Sequence, residues 1–124
     1  MKLLLDTHAL LWWLDGDDRL TPEATEAIAD AELVAVSAAS AWEISIKQAL
    51  GKLDGPVDLS AEMATNGFKE LPVTVAHTVT AGALPPHHAD PFDRMLIAQS
   101  RLEGLTLVSR DARFADYGIA HLRA

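Results

Sequence analysis

Four acidic residues of this sequence stand just past predicted strands or early in the helices that follow: Asp6, Glu43, Asp93 and Asp111. In a parallel α/β sheet such positions share the carboxyl edge, where ligands collect. Clustered carboxylates repel one another, so a cation must neutralise them or at least one must take up a proton. Oxygen ligands without cysteine, and without a histidine at a matching helical spacing, favour Mg²⁺ or Mn²⁺ over zinc. The set therefore indicates metal-assisted hydrolysis of phosphodiesters by an activated water.

Two of these acids also have a simpler structural interpretation. Asp is a favoured helix N-cap, and Asp6 alone after a strand is more often a cap than a ligand. Glu43 completes a capping-box pattern that begins at Ser40. The helical pattern starts earlier, however, near Ser37, which would place Glu43 inside the helix beside a Trp42 that we expect to be buried. The structural and the functional interpretations of Glu43 are equally open at this point.

The structural interpretations of Asp93 and Asp111 differ from each other. Asp90 precedes Pro91, which suits the first helical position, so Asp90 is the natural N-cap of that helix. Asp93 then lies in the first turn, where the helix dipole is expected to keep it ionised. Asp111 follows a strand as Asp6 does and, taken alone, is a turn residue.

The elements that must position these acids alternate along the chain. Short apolar runs predict strands at 3–5, 33–36, 68–71, 105–108 and 119–122. Helical spacing predicts helices at 9–14, 22–31, 37–50, 59–66, 75–84, 91–103 and 112–115. We therefore predict an α/β fold, a three-layer α/β/α sandwich around a mostly parallel sheet of four to five strands, built as a single domain over 1–124. The crossovers are expected to be right-handed.

Composition narrows the function classes further. The formal net charge of −8, from 18 acids against 10 lysines and arginines, argues against a plain nucleic-acid binder, whose affinity comes largely from basic side chains on phosphates. The absence of cysteine excludes disulfides and thiolate metal sites. We find no signal-peptide core and no apolar run long enough to span a bilayer, so we expect a soluble, cytoplasmic protein without a membrane partner.

Four motifs resemble those of one known family. The sequence reads LLDTH at 4–8, WEI at 42–44, DPFDRMLIAQ at 90–99 and LVSRD at 107–111. In this order they resemble PIN-domain ribonucleases, and most of all the VapC-type toxins of bacterial VapBC toxin–antitoxin pairs; the DPFDR block leading to IAQ is the most specific part. The resemblance implies a PIN-like fold, an Mg²⁺-dependent endoribonuclease acting on RNA, inhibition by a cognate VapB-type antitoxin and a homodimer.

The resemblance also implies roles for individual residues. The acidic set named above matches the family's catalytic, metal-binding quartet. Thr7 and Ser109 match hydroxyl positions that commonly support it. Asp111 is the least secure member, with Asp116 as a nearby competitor, and Asp90 is a further candidate for metal or water binding.

Several other side chains are candidates for contacts. Trp12 and Trp13 are adjacent on a helix, so they cannot share a face, and one is expected to pack inward while the other lies nearer the surface. A hypothesis is that exposed apolar area on the first two helices binds the antitoxin. The histidines and arginines near the acids could contact phosphate or merely line loops and balance charge: His8, His87, His88, Arg94, Arg110 and Arg113.

Three alternatives remain. A haloacid-dehalogenase-like phosphatase also begins with a strand ending in Asp, but it wants a second Asp where this chain has His8. A receiver-like signalling module would want a paired acid near the first strand and a lysine after a late strand, where this chain reads Ser109-Arg110-Asp111. A catalytically inactive PIN-fold module that binds RNA or protein would have lost part of the acidic set, and nothing in the sequence favours that loss.

Overall fold

The computed structural model describes all 124 residues. The strands are β1 (Lys2–Leu5), β2 (Leu33–Ser37), β3 (Lys69–Leu71), β4 (Thr106–Ser109) and β5 (His121–Arg123). The α-helices are α1 (Thr7–Asp15), α2 (Pro22–Asp30), α3 (Ala38–Ala49), α4 (Leu59–Asn66), α5 (Val75–Ala83) and α6 (Pro91–Glu103), and Ala112–Tyr117 form a 3-10 helix. None of these helices combines the length and the apolar character needed to cross a membrane.

The sheet has five strands in the order β3-β2-β1-β4-β5. Every neighbouring pair is parallel, so the predicted α/β sheet is confirmed and is wholly rather than mostly parallel. The central strand β1 pairs Leu5 with Val36 of β2 on one side and with Val108 of β4 on the other. The residues that follow these three strands therefore meet at one carboxyl edge.

The core has two halves, one on each face of β1. Leu3 and Leu5 belong to a buried cluster with side chains of α1, α2 and α3. Leu4 belongs to a second cluster with side chains of α6 and the 3-10 helix. The leucine run of β1 is completely buried, as expected for a central strand that is covered on both faces.

Helix ends follow the local chemistry that the sequence predicts. Thr21 caps α2 with Pro22 at the first helical position, and Asp90 caps α6 in the same arrangement with Pro91. The predicted short helix at 112–115 is a 3-10 helix that continues to Tyr117. The last strand begins two residues later than predicted because the pairing with β4 starts only at His121.

The expectation that Trp42 is buried is wrong. Its side chain is 64% exposed and meets the ring of Phe92 edge-on at a centroid distance of 5.5 Å. Ile44 occupies the core-facing position of α3, and two residues correspond to about 200° of helical rotation. Trp42 therefore lies on the face opposite to the core.

Candidate active site

A pocket of about 380 Å³ opens at the carboxyl edge of the sheet. The four predicted acids all line it, together with Asp90; these four are Asp6, Glu43, Asp93 and Asp111. Asp116, the competitor for the fourth position, is exposed on the 3-10 helix and does not line the pocket. The structure therefore brings the predicted set together from four different parts of the chain.

Asp6 both caps a helix and lines the pocket. Its Oδ1 accepts a hydrogen bond from the N–H of Ala9 at 2.8 Å, and its own N–H donates to the carbonyl of Val108 at 3.1 Å. Burial raises the pKa of Asp6, while hydrogen bonds from the Ser109 hydroxyl and the Ala9 N–H oppose the rise. The two interpretations of Asp6 are therefore compatible, because capping uses only one of its oxygens.

Glu43 is held from two sides. The N-cap of α3 is Ser37 rather than Ser40, so Glu43 lies inside the helix and makes no capping box. The hydroxyl of Thr7 donates to Oε1 of Glu43 at 2.5 Å, and the ammonium of Lys47 lies 3.1 Å from Oε2. Thr7 thus stands where the resemblance implied a supporting hydroxyl.

Asp93 is unfavourably placed for a carboxylate. Burial raises its pKa to about 7, and the neighbouring carboxylates add to the rise in the order Asp90, Asp6, Glu43 and Asp111. The expectation that the helix dipole keeps Asp93 ionised is therefore wrong for the metal-free protein. The dipole effect is worth less than about 1 kcal/mol at most exposed helix starts, and here burial and repulsion outweigh it.

Asp111 is strongly paired. It caps the 3-10 helix through the N–H of Arg113, and the guanidinium of Arg113 contacts Oδ2 at 2.8 Å. These bonds hold the pKa of Asp111 well below its usual range. The Asp111 N–H also donates to the hydroxyl of Ser109 at 3.0 Å. Arg113 therefore balances charge, which is the simpler of its two predicted roles.

His88 contacts two of the acids, although the sequence offered it only as one of several histidines that could contact phosphate or line a loop. Only 4% of it is exposed. Its Nε2 lies 3.0 Å from Oδ2 of Asp93 and 3.1 Å from Oδ2 of Asp111. Its neighbour His87 is exposed and packs edge-on against Tyr117 at 5.1 Å. No spacing rule in the sequence tells these two histidines apart, since both precede the same helix.

The two remaining arginines do not balance the acids. Arg94 donates to the carbonyls of a single turn region, with bonds of 2.8–3.1 Å to Ala81, Leu84, Pro85 and His88. Arg110 lines the pocket, but its guanidinium lies 4.6 Å from the ring centroid of Trp12 and donates to main-chain oxygens of Arg19 and Ala124. Arg94 thus holds the loop that carries His88 in place through hydrogen bonds to its main chain.

The donor set of the pocket fits a hard divalent cation. Its ligands are carboxylate oxygens, which Mg²⁺ and Mn²⁺ prefer. Burial first, and then the repulsion of the neighbouring carboxylates, raises the pKa of Asp93 to about 7, so the pocket disfavours a full set of ionised acids without a counter-charge. The oxygens of Asp93 and Asp111 and the Nε2 of His88 lie within 4.8 Å of one another. A bound cation would relieve this repulsion.

Comparison with known proteins identifies the class of protein to which this fold and this pocket belong, a class of nucleases. The PIN domain family matches residues 3–120, so the chain belongs to that family. It is 31% identical over 118 residues to the ribonuclease VapC22 of Mycobacterium tuberculosis, covering 93% of this chain and 91% of the relative. The chain is therefore a homologue of the VapC-type ribonucleases, as the sequence motifs predicted.

Two solved structures share the fold at low sequence identity. The VapBC2 structure from Rickettsia felis, bound to a DNA fragment from its promoter, aligns with a TM-score of 0.69 at 13% identity, covering 99% of this chain and 98% of the other. A toxin–antitoxin complex from Klebsiella pneumoniae aligns with a TM-score of 0.70 at 20% identity, covering 98% and 96%. These matches confirm the PIN-like fold.

Proposed function

We propose that this chain is an endoribonuclease toxin whose activity depends on Mg²⁺, with Mn²⁺ as a substitute. The cation would be held by the four carboxylates of Asp6, Glu43, Asp93 and Asp111. The whole chain, 1–124, would form a single PIN domain. The observation that carries the proposal is the convergence of four carboxylates from separate elements in one pocket, where the pKa of Asp93 is raised to about 7. We expect the protein to act in the cytoplasm.

The side chains around the acids prepare the pocket for this chemistry. A bound Mg²⁺ would orient a water for attack and neutralise charge on the phosphate. Thr7 and Lys47 fix both oxygens of Glu43, so this carboxylate needs little reorganisation. Asp6 keeps its position through the cap of α1. The acidic pocket repels a phosphodiester in the absence of cations, so substrate binding is expected to require the metal as well.

The decisive experiment compares two acids of similar type. Purified protein, free of any antitoxin, is incubated with mixed cellular RNAs in Mg²⁺ or in EDTA. Cleavage is expected in Mg²⁺ only, and Asp6→Asn should lower it by more than about 100-fold, since even residues that merely orient metal ligands cost 10–100-fold. Asn is also a good N-cap, so α1 should persist.

The control is Asp116→Asn, which alters an exposed acid outside the pocket and should leave cleavage unchanged. Cleavage that survives EDTA, or that survives Asp6→Asn, contradicts the metal mechanism. If the metal-loaded protein cleaves no RNA at all, the alternative of a catalytically inactive binding module takes its place.

The antitoxin is expected on the first two helices. A groove of about 820 Å³ lies there, lined by both apolar and acidic side chains, which include Trp12, Trp13, Leu20, Asp17, Asp18 and Glu26. Both tryptophans are half-buried rather than divided between core and surface. A partner segment with apolar and basic side chains would complement this groove. The relatives crystallised as VapBC complexes make a VapB-type antitoxin the partner we propose.

This surface can be tested with tryptophan substitutions. Trp12→Ala and Trp13→Ala should weaken binding of the cognate antitoxin by 10-fold or more, as expected for aromatic anchors worth about 2 kcal/mol. Trp42→Ala removes an exposed tryptophan elsewhere and serves as the matched control. Unchanged affinity at both Trp12 and Trp13 would refute the assignment. We also propose a homodimer, which light scattering of the purified protein checks directly.

A further inference from the structure

His88 bridges two of the acids from a loop between α5 and α6. Its ring is buried and stacks on Phe114 with a centroid distance of 5.6 Å and an interplanar angle of 29°. Nε2 reaches Oδ2 of both Asp93 and Asp111 at 3.0 and 3.1 Å. Because the ring is packed on its face and bonded at its edge, its orientation is fixed by several independent contacts.

The hydrogen bonds also fix the tautomer. Nδ1 of His88 accepts the N–H of Asp90 at 3.3 Å, so Nδ1 carries no hydrogen. The ring hydrogen must then be on Nε2, which donates to Oδ2 of Asp111 at 3.1 Å and lies 3.0 Å from Oδ2 of Asp93. One ring nitrogen thus holds the carboxyl groups of both acids close together.

We propose that His88 is a positioning residue that holds Asp93 and Asp111 at the spacing in which they bind a divalent cation; this inference rests on the proposed function. The bridge uses Oδ2 of each acid and leaves Oδ1 of Asp93 available. Arg94 supports the arrangement, since it donates to the carbonyl of His88 at 3.1 Å and to neighbouring carbonyls of the same loop.

The same geometry argues that His88 is not itself a metal ligand. A histidine binds metal through a ring nitrogen that carries no hydrogen. If Nε2 gave up its hydrogen to bind a cation as neutral imidazole, the hydrogen would move to Nδ1 and face the N–H of Asp90, placing two donors against each other. Metal coordination by His88 would therefore break its hydrogen bond with the N–H of Asp90. A positioning role leaves all hydrogen bonds of the ring intact.

Two substitutions separate these roles. In His88→Gln the carboxamide nitrogen lies about where Nε2 was, so the donor to the acids is kept. In His88→Asn the carboxamide reaches only to the region of Nδ1, so that donor is lost. We expect Mn²⁺ affinity, measured by calorimetry without RNA, to fall about 10–100-fold in His88→Asn and to stay within about 3-fold in His88→Gln. The same changes at exposed His87 should have no effect.

Each outcome is decisive. A folded His88→Asn protein that binds Mn²⁺ like the wild type overturns the inference, and so does His88→Gln binding as weakly as His88→Asn. If the wild type binds no divalent cation, the proposed function fails and this inference with it. Should His88→Asn fail to fold, ¹⁵N NMR of the wild-type imidazole gives the answer. A hydrogen on Nε2 before and after Mg²⁺ addition supports positioning, and a hydrogen on Nδ1 in either state overturns it.

Discussion

The two sides of the acidic pocket are built in different ways. On what we call the helix-start side, Asp6 and Glu43 are held by regular structure. Asp6 caps the helix that it precedes, and Glu43 receives the hydroxyl of Thr7, the first residue of that same helix. Both acids belong to elements that begin where neighbouring strands β1 and β2 end. Regular secondary structure therefore sets most of the geometry on this side.

On what we call the loop side, Asp93 and Asp111 depend on side-chain contacts, with His88 from a loop and Arg113 from the 3-10 helix. His88 joins the two carboxylates, and Arg113 pairs with the second of them. Arg94 in turn ties down the loop that carries His88. Comparison of the two sides teaches that half of this site is specified by backbone topology and half by a chain of side-chain bonds. The second half should be the easier one to break.

The largest effect is expected from Arg94→Met, which keeps the aliphatic stem but removes the bonds to four loop carbonyls within 3.1 Å. We expect the free energy of unfolding to fall by about 2–4 kcal/mol in urea titrations, because hydrogen bonds from charged groups contribute about 1.5–3 kcal/mol each and are not additive. Arg101→Met removes a single bond to the carbonyl of Tyr117 and should cost about 1–2 kcal/mol. If both variants lose the same free energy of unfolding, the several bonds of Arg94 stabilise the protein no more than the single bond of Arg101.

The next largest effect is a loss of stability with rising pH, to which Asp93 on the loop side contributes. The pKa of Asp93 in the folded protein is about 7, against an ordinary value of 3.8. The folded state therefore holds this proton more tightly than the unfolded state. The stability it contributes is complete below about pH 4 and is lost as pH rises to about 7. We expect the metal-free protein to lose about 1–3 kcal/mol over that window.

Urea titrations at pH 4.5, 6 and 7.5 in EDTA measure this slope. Asp93→Asn should reduce it, and saturating Mg²⁺ should flatten it in the wild type. Asp6, whose pKa burial also raises, contributes a dependence of the same sign that remains in Asp93→Asn. Stability that instead rises with pH across this window would contradict the electrostatic account of the loop side.

A smaller effect is expected on the helix-start side. Thr7→Val removes the hydroxyl that donates to Glu43 at 2.5 Å while keeping the shape of the side chain. The expected loss is about 1.5–2 kcal/mol in the free energy of unfolding, the lower end of the range for one hydrogen bond to a charged group, because Lys47 still pairs with Glu43. Thr7→Ser, which retains the hydroxyl, should recover most of it. If Thr7→Ser is as unstable as Thr7→Val, packing rather than the hydrogen bond is responsible.

The smallest effect is expected from Arg113→Gln. Its guanidinium depresses the pKa of Asp111 strongly, yet the Arg113 side chain is 60% exposed, and solvent screens such pairs. The urea midpoint at neutral pH should therefore stay within experimental error of the wild type. A clear drop in the midpoint would mean that the pair is shielded from water.

Much of the fold and half of the site could be predicted from the sequence. The leucine run of β1, the Thr21-Pro22 and Asp90-Pro91 helix starts, and the alternation of strands and helices act locally, so their outcome is visible in single segments. The convergence of the acids follows from one added rule, that parallel strands end at a common edge. Thr7 came from the family resemblance rather than from any physical pattern.

The remaining features depend on contacts that no local pattern encodes. Trp42 is exposed because Ile44 takes the core-facing position of the helix, a choice made by the packing of α3. His88 and His87 are identical in type and adjacent, and only the loop path buries one of them. The raised pKa of Asp93 depends on its burial and on how closely the other carboxylates approach it. Each of these is a property of tertiary structure.

The central place of β1 has a consequence for how this protein is made. The strand before Asp6 takes one of its two neighbours from β4, about a hundred residues later in the chain. Contacts between segments so far apart in sequence form late and slowly. A nascent chain that has not yet released β4 from the ribosome carries three of the four acids without the arrangement that unites them. The acidic pocket can therefore form only after β4 has been synthesised.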